Sequence, residues 1–177
     1  MDFLRTLRLQ LDWHWTSVLR PRFAGLTDEE YLWEPAPGCW SIRPGARGRL
    51  AMDLVRPEPQ PPPVTTIAWR LCHVGTTLLQ RANHHFGDRT LVRTQVELPG
   101  TAGGGLALVD DAYAAWCAGL GGLGDGDLDR RGDGGPGTLD GQFPFADVIL
   151  HVNREVIHHG AEVALLRDLF AARAGRP

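Results

Sequence analysis

Four stretches of the chain repeat apolar residues at the helical period, and none alternates them at the period of a strand. The first, residues 2 to 24, opens on Asp2 as an N-cap and sets Leu4, Leu7, Leu11, Trp15, Val18 and Leu19 at helical spacing. The second runs from Thr65 to Phe86, starting after Pro63 and stopping at Gly87. A third lies within residues 102 to 120, its start weakened by Gly103, Gly104 and Gly105. The last and longest extends from Pro144, a residue suited to the first helical position, to about Ala172. Four amphipathic helices bury their stripes only against one another. The pattern therefore predicts an all-α fold, an antiparallel four-helix bundle with a long crossover loop.

The intervening segments are irregular by composition. "LTDEEYLW" carries a capping-box pattern, Thr27 with Glu30 three residues on. Residues 34 to 63 hold eight of the 13 prolines, which forbids regular helix or a central strand there. Residues 121 to 142 are rich in Gly and Asp and read as a loop without packing residues. A chain of 177 residues with 43% hydrophobic content is expected to form a single domain over 1–177. All 18 basic residues are Arg, yet the net charge is −3, so there is no basic footprint for nucleic acid or an anionic membrane. The N-terminus lacks the apolar core of a signal peptide, and no apolar run approaches the ~18 residues needed to span a bilayer, so a soluble cytoplasmic protein is expected. Cys39, Cys72 and Cys117 form an odd, scattered set without a C-x-x-C pair, which predicts reduced thiols packed as small hydrophobes.

The last helix breaks its own pattern. On a helical wheel Val148, Leu166, His159 and Glu162 fall within about 40° of Glu155, so the stripe is apolar at both ends and ionisable in the middle. Glu155 and His159, four apart, share a face and form either an intrahelical pair or two ligands of one cation. A third ligand must come from another helix, and His73 in "IAWRLCHVGTTLLQ" is the candidate. His73 lies about 100° or more from the apolar face formed by Ile67, Leu71, Val74, Leu78 and Ala82, so it serves only if its side of the helix lines a pocket. Glu162 reads as an acceptor that orients His159 or as a catalytic proton acceptor. His158 reads as a half-exposed helix residue. Arg154 reads as a contact to an anionic substrate or a partner subunit, or as an exposed salt bridge, Trp33 and Trp40 as staples or as pocket covers, and Asp110 with Asp111 as a solvated face.

Three stretches, "GLTDEEYLWEPAPGCWSIRP", "IAWRLCHVG" and "HVNREVIHHGAEVALLRDLF", resemble the DinB superfamily of DinB/YfiT-like proteins, especially the actinobacterial branch related to mycothiol-dependent maleylpyruvate isomerase. The resemblance implies a four-helix bundle holding a divalent ion, zinc or nickel, with one His on the second helix and a His-x-x-x-His pair on the fourth. It matches His73 to the first ligand and His159 to the last, and puts Glu155 where many members have the middle His, a departure that branch shares. The extra negative charge makes the ion a weaker Lewis acid. The implied chemistry uses mycothiol or a similar thiol as cosubstrate, activated as a metal-bound thiolate that attacks an electrophilic substrate in S-transfer or isomerisation. A metal-dependent hydrolase and a non-catalytic metal-binding stress protein remain as alternatives. DNA binding is disfavoured by the acidic charge, and a homodimer is expected from the Leu/Trp-rich first helix.

Overall fold

The computed structural model describes residues 2–131 and 140–173; residues 132–139 of the glycine- and aspartate-rich run lie outside the described residues. Helix α1 (Phe3–His14) starts where the Asp2 carboxylate accepts the Arg5 N–H at 2.7 Å. It continues through a wider π-turn, Trp15–Leu19, into a last α-turn, Arg20–Arg22. Pro21 explains the widening: it has no N–H for the Ser17 carbonyl and its ring crowds that group, so the Arg20 N–H reaches back to the Trp15 carbonyl instead.

Helix α2 (Asp28–Leu32) is capped by Thr27, whose hydroxyl accepts the Glu30 N–H at 3.2 Å. The return half of the capping box is replaced by a long-range contact. Glu30 is 6% exposed, and its carboxylate meets Arg167 at 2.7 Å. The proline-rich segment forms no helix of α type, but it does contain a hairpin that the sequence pattern did not announce, β1 (Ile42–Pro44) paired antiparallel with β2 (Leu50–Met52). Strands of three residues are too short to display alternation, and Pro44 is tolerated because it ends an outer strand. The segment is fastened to the next helix: Trp40 N–H donates to the Val64 carbonyl, Thr66 N–H to the Trp40 carbonyl, and the Trp69 indole N–H to the Asp53 carbonyl.

Helix α3 (Ile67–Phe86) is capped by Thr66 and stops at Gly87 in an extended conformation. Helix α4 (Ala102–Gly121) is capped by Thr101, and its Ala102 N–H also reaches Asp28 at 2.7 Å. Helix α5 (Phe145–Arg173) begins right after Pro144, with Phe145 and Ala146 N–H groups satisfied by the Arg130 and Leu128 carbonyls. The run before α5 is thus less idle than its composition suggests. Leu128 is buried, and Asp125 accepts the Phe3 and Leu4 N–H groups at the start of α1.

The helices pack as a bundle around Phe23, Tyr31, Trp116, Phe145, Ile149 and Val156. Side-chain contacts give their directions. Arg20 meets Asp110 while Asp12 meets Tyr113, so α1 and α4 are antiparallel; Arg70 meets Glu162 while His73 meets Glu155, so α3 and α5 are antiparallel. Leu108 lies over Gly75 and Phe86 over Gly119, so α3 and α4 run the same way, as do α1 and α5, where Leu7 meets Asn153 and Leu19 lies over Gly160. A parallel neighbour requires residues 87–101 to travel back along the bundle, so this connection is a second crossover beside the proline-rich one. No helix among the described residues is long and apolar enough to cross a membrane. Cys39, Cys72 and Cys117 are free, as expected.

The α3–α4 contact has no room to spare. A Cβ built on Gly119 would lie 2.0 Å from the Phe86 ring, which itself packs on Trp116 and Phe145. Overpacking costs about 1–3 kcal/mol, and an approach this short to a ring held by Trp116 and Phe145 falls in the upper part of that range, beyond the ~1 kcal/mol that alanine gains over glycine in a helix. Gly119→Ala is therefore expected to lower unfolding free energy by about 1–2 kcal/mol in urea titration, and an unchanged or raised midpoint would contradict the packing.

Candidate metal centre

The antiparallel crossing of α3 and α5 sets His73 opposite the Glu155–His159 face. Buried residues lie nearly all round α3, from Leu71, Val74 and Gly75, the last against Leu108 of α4, to Trp69, Thr76 and Arg81. The side of α3 that carries His73 therefore faces other parts of the protein. The ring of His73 is stacked on Trp69, with centroids 4.9 Å apart, and stands edge-on to His159 at 4.8 Å.

Glu155 is the hub. Its Oε2 lies 3.2 Å from His73 Nε2 and 3.2 Å from His159 Nε2. For ligand bonds of about 2.1 Å, donor atoms on a tetrahedral shell sit about 3.4 Å apart, so this spacing suits one divalent ion between them. The donor set, two imidazoles and one carboxylate, is one that zinc and related ions take. His73, Glu155 and His159 form a cluster that can hold a metal ion. A second grouping, His158, His159 and Glu162, shares His159 but includes the 63%-exposed side chain of His158, which pairs with Glu162 at 3.4 Å as an ordinary helix-surface contact.

Each imidazole is oriented by a neighbour. Glu162 Oε2 lies 2.6 Å from His159 Nδ1, and Arg70 holds Glu162 through an ion pair at 3.0 Å. A hydrogen on Nδ1 given to Glu162 lets His159 offer its Nε2 lone pair to an ion once the Nε2 hydrogen that now meets Glu155 is lost, the usual way a carboxylate prepares a metal-binding histidine. Arg70 Nη1 also approaches His159 Nδ1, at 3.1 Å. His73 is held differently. Arg93 Nη2 lies 3.0 Å from His73 Nδ1, and its Nε donates to the Thr76 hydroxyl at 3.1 Å. A guanidinium only donates, so His73 Nδ1 accepts and the ring hydrogen sits on Nε2, where it donates to Glu155. Ligation through Nε2 requires that hydrogen to move to Nδ1 and Arg93 to turn away.

The electrostatics follow the contacts. Hydrogen bonds from His159 and His73 hold the Glu155 carboxyl well below the usual carboxylate range. Burial pushes the His73 imidazole down, and the Glu155 contact does not offset it. Burial also opposes charge on His159, but its two carboxylate partners, Glu155 and Glu162, outweigh this and raise it. Glu162 is lowered overall, because His159 and Arg70 together outweigh its desolvation.

Other expected roles fall out unevenly. Arg154 contacts the ring of its neighbour His151 at 2.7 Å. Trp33 packs edge-on against Phe170 and staples its segment to α5, while Trp40 lies 5.9 Å from Trp69 and borders a cavity beside His73. Asp110 is not merely a solvated residue: its carboxylate accepts from Arg20 Nε at 2.8 and 3.1 Å and from Arg20 Nη2 at 2.8 Å. Arg70 and Arg93 were not singled out by sequence. Arg70 was findable, one turn before His73 on the same face. Arg93 was not, because it lies in an irregular connection with no motif.

Residues 48–163 match a family model described as the DinB superfamily. No curated protein and no solved structure gives a significant match.

Proposed function

The chain belongs to the DinB superfamily, and on that premise we propose that it binds one divalent ion, zinc or nickel, through His73, Glu155 and His159 and serves as a thiol-dependent transferase or isomerase. The observation that carries this reading is the placement of Glu155 Oε2 at 3.2 Å from both imidazoles. When bound, the ion lowers the pKa of a coordinated thiol, so that a mycothiol-type cosubstrate is available as thiolate near neutral pH. The chain's own residues prepare the site. Glu162 and Arg70 fix the ring of His159, Trp69 fixes the plane of His73, and Arg93 exchanges its contact with His73 Nδ1 for another acceptor. Glu162, held ionised by His159 and Arg70, is the base we assign to the proton that the incoming thiol loses.

One observation favours a second reading. Arg93 satisfies His73 Nδ1 in the way a metal-free ion-pair network would, which suits a bundle whose polar cluster is structural. Elemental analysis separates the two. Protein purified without chelator, or incubated with zinc or nickel salts and gel-filtered, is expected to retain about one ion per chain. Retention of none after both treatments sinks the metal reading and leaves the structural one. Incubation of the loaded protein with mycothiol and a set of electrophiles, followed by mass spectrometry for thioether products, then tests the transferase step.

A further inference from the structure

A cavity of about 390 Å³ opens beside His73, within the size range of small-molecule sites. It is enclosed by β2, the segment that follows it, the first turns of α3 and the connection that carries Arg93. Its walls are largely apolar: Trp40, Trp69, Leu50, Met52, Val96 and Leu98. Four charged residues also line it, Asp53, Glu58, Arg56 and Arg93. Asp53 is already engaged, accepting from the Ser41 N–H and from Arg43, both at 2.9 Å.

Arg93 is different. It is half-buried, and its hydrogen-bond partners, Thr76 and His73, are both neutral acceptors; among the described residues it makes no ion pair with a carboxylate. Desolvation weighs against its charge, Glu155 favours it from a distance, and the nearby Arg56 opposes it. Glu58 forms no ion pair with either arginine among the described residues. Arg93 and, at an exposed position, Arg56 thus line one aromatic-walled cavity without an ion pair to its carboxylates among the described residues, and the group that offsets the charge of the half-buried Arg93 is an external carboxylate or similar oxyanion.

We propose that this cavity binds a small amphipathic organic anion, its flat apolar body against Trp40 and Trp69 and its carboxylate on Arg93 and Arg56. The orientation brings the carbon next to the anionic end close to His73, so the inference deepens the proposed function by naming its substrate class, and rests on it for the reacting centre alone. Binding also draws Arg93 from His73 Nδ1, the change that ligation through Nε2 needs, so anion and metal reinforce one another.

The test compares 3-phenylpropionate with its neutral analogue 3-phenylpropan-1-ol by calorimetric titration. The intact protein is expected to bind the carboxylate at least about tenfold more tightly. Arg93→Met removes this preference and Arg56→Gln, at an exposed position, reduces it, while the alcohol binds each variant as before. Equal affinity for the two probes, binding of neither, or a preference unchanged in both variants overturns the proposal. Metal content measured on the same protein keeps the two readings apart. Preserved carboxylate preference without metal uptake sinks the metal centre alone, and metal uptake without the preference sinks the anion site alone.

Discussion

Alanine at position 159 is expected to weaken zinc binding by about a hundredfold to a thousandfold while the helical content of the protein stays as it was. A site of three protein ligands that loses one cannot close on the ion, and metal affinity in small sites is shared among a few strong bonds of this kind. The helix survives because the apolar core is carried by Val152, Val156 and Val163 on α5, and His159 spends its nitrogens on Glu155 and Glu162. Each partner left behind keeps another contact, Glu155 with His73 and Glu162 with Arg70. Competition with a chromogenic chelator, beside far-ultraviolet circular dichroism, reads both effects. Glu162→Gln provides the contrast: it removes only the carboxylate that orients His159 and should cost about 10–100-fold. If His158→Ala weakens binding and His159→Ala does not, the centre lies elsewhere on α5.

The second large effect concerns stability. Arg167→Ala is expected to cost about 3–5 kcal/mol, because it leaves the carboxylate of Glu30, 6% exposed, without its partner at 2.7 Å. Arg167 also donates to the Arg22 and Ala24 carbonyls at 2.5 and 2.8 Å, the groups that the end of α1 leaves open. One side chain on α5 therefore closes α1 and neutralises α2. Replacing both charges together, Glu30→Leu with Arg167→Met, is expected to recover at least about half of the loss, since no charge is then stranded. Urea midpoints of the two single variants and the double variant measure the coupling. A single-variant loss below about 1 kcal/mol would show that the pair behaves as a surface ion pair.

The helices were legible because their signals are local. Asp2 and Thr27 cap through hydrogen bonds three residues away, the four-residue step from Glu155 to His159 is a property of any α-helix, and Pro144 and Gly87 bound their helices within a residue. Less could be read where a residue's partner is distant. Glu30 looked like half of a capping box, yet its carboxylate goes to Arg167, which neutralises it where the N-cap backbone would not. Asp110 looked solvated until Arg20 was placed against it. His73 looked misplaced on its wheel because a wheel shows one buried stripe, and α3 is covered on several sides.

What the sequence by itself determined is the set of helices and the pairing of Glu155 with His159 along one of them, since spacing and caps act within a turn or two of the chain. Only the tertiary structure decided that α3 runs alongside α4 in the same direction and against α5, and so which residues stand opposite that pair. His73, Arg70 and Arg93 acquire their roles from that crossing. Their contacts with α5 join positions scores of residues apart, and no local rule of spacing reaches so far.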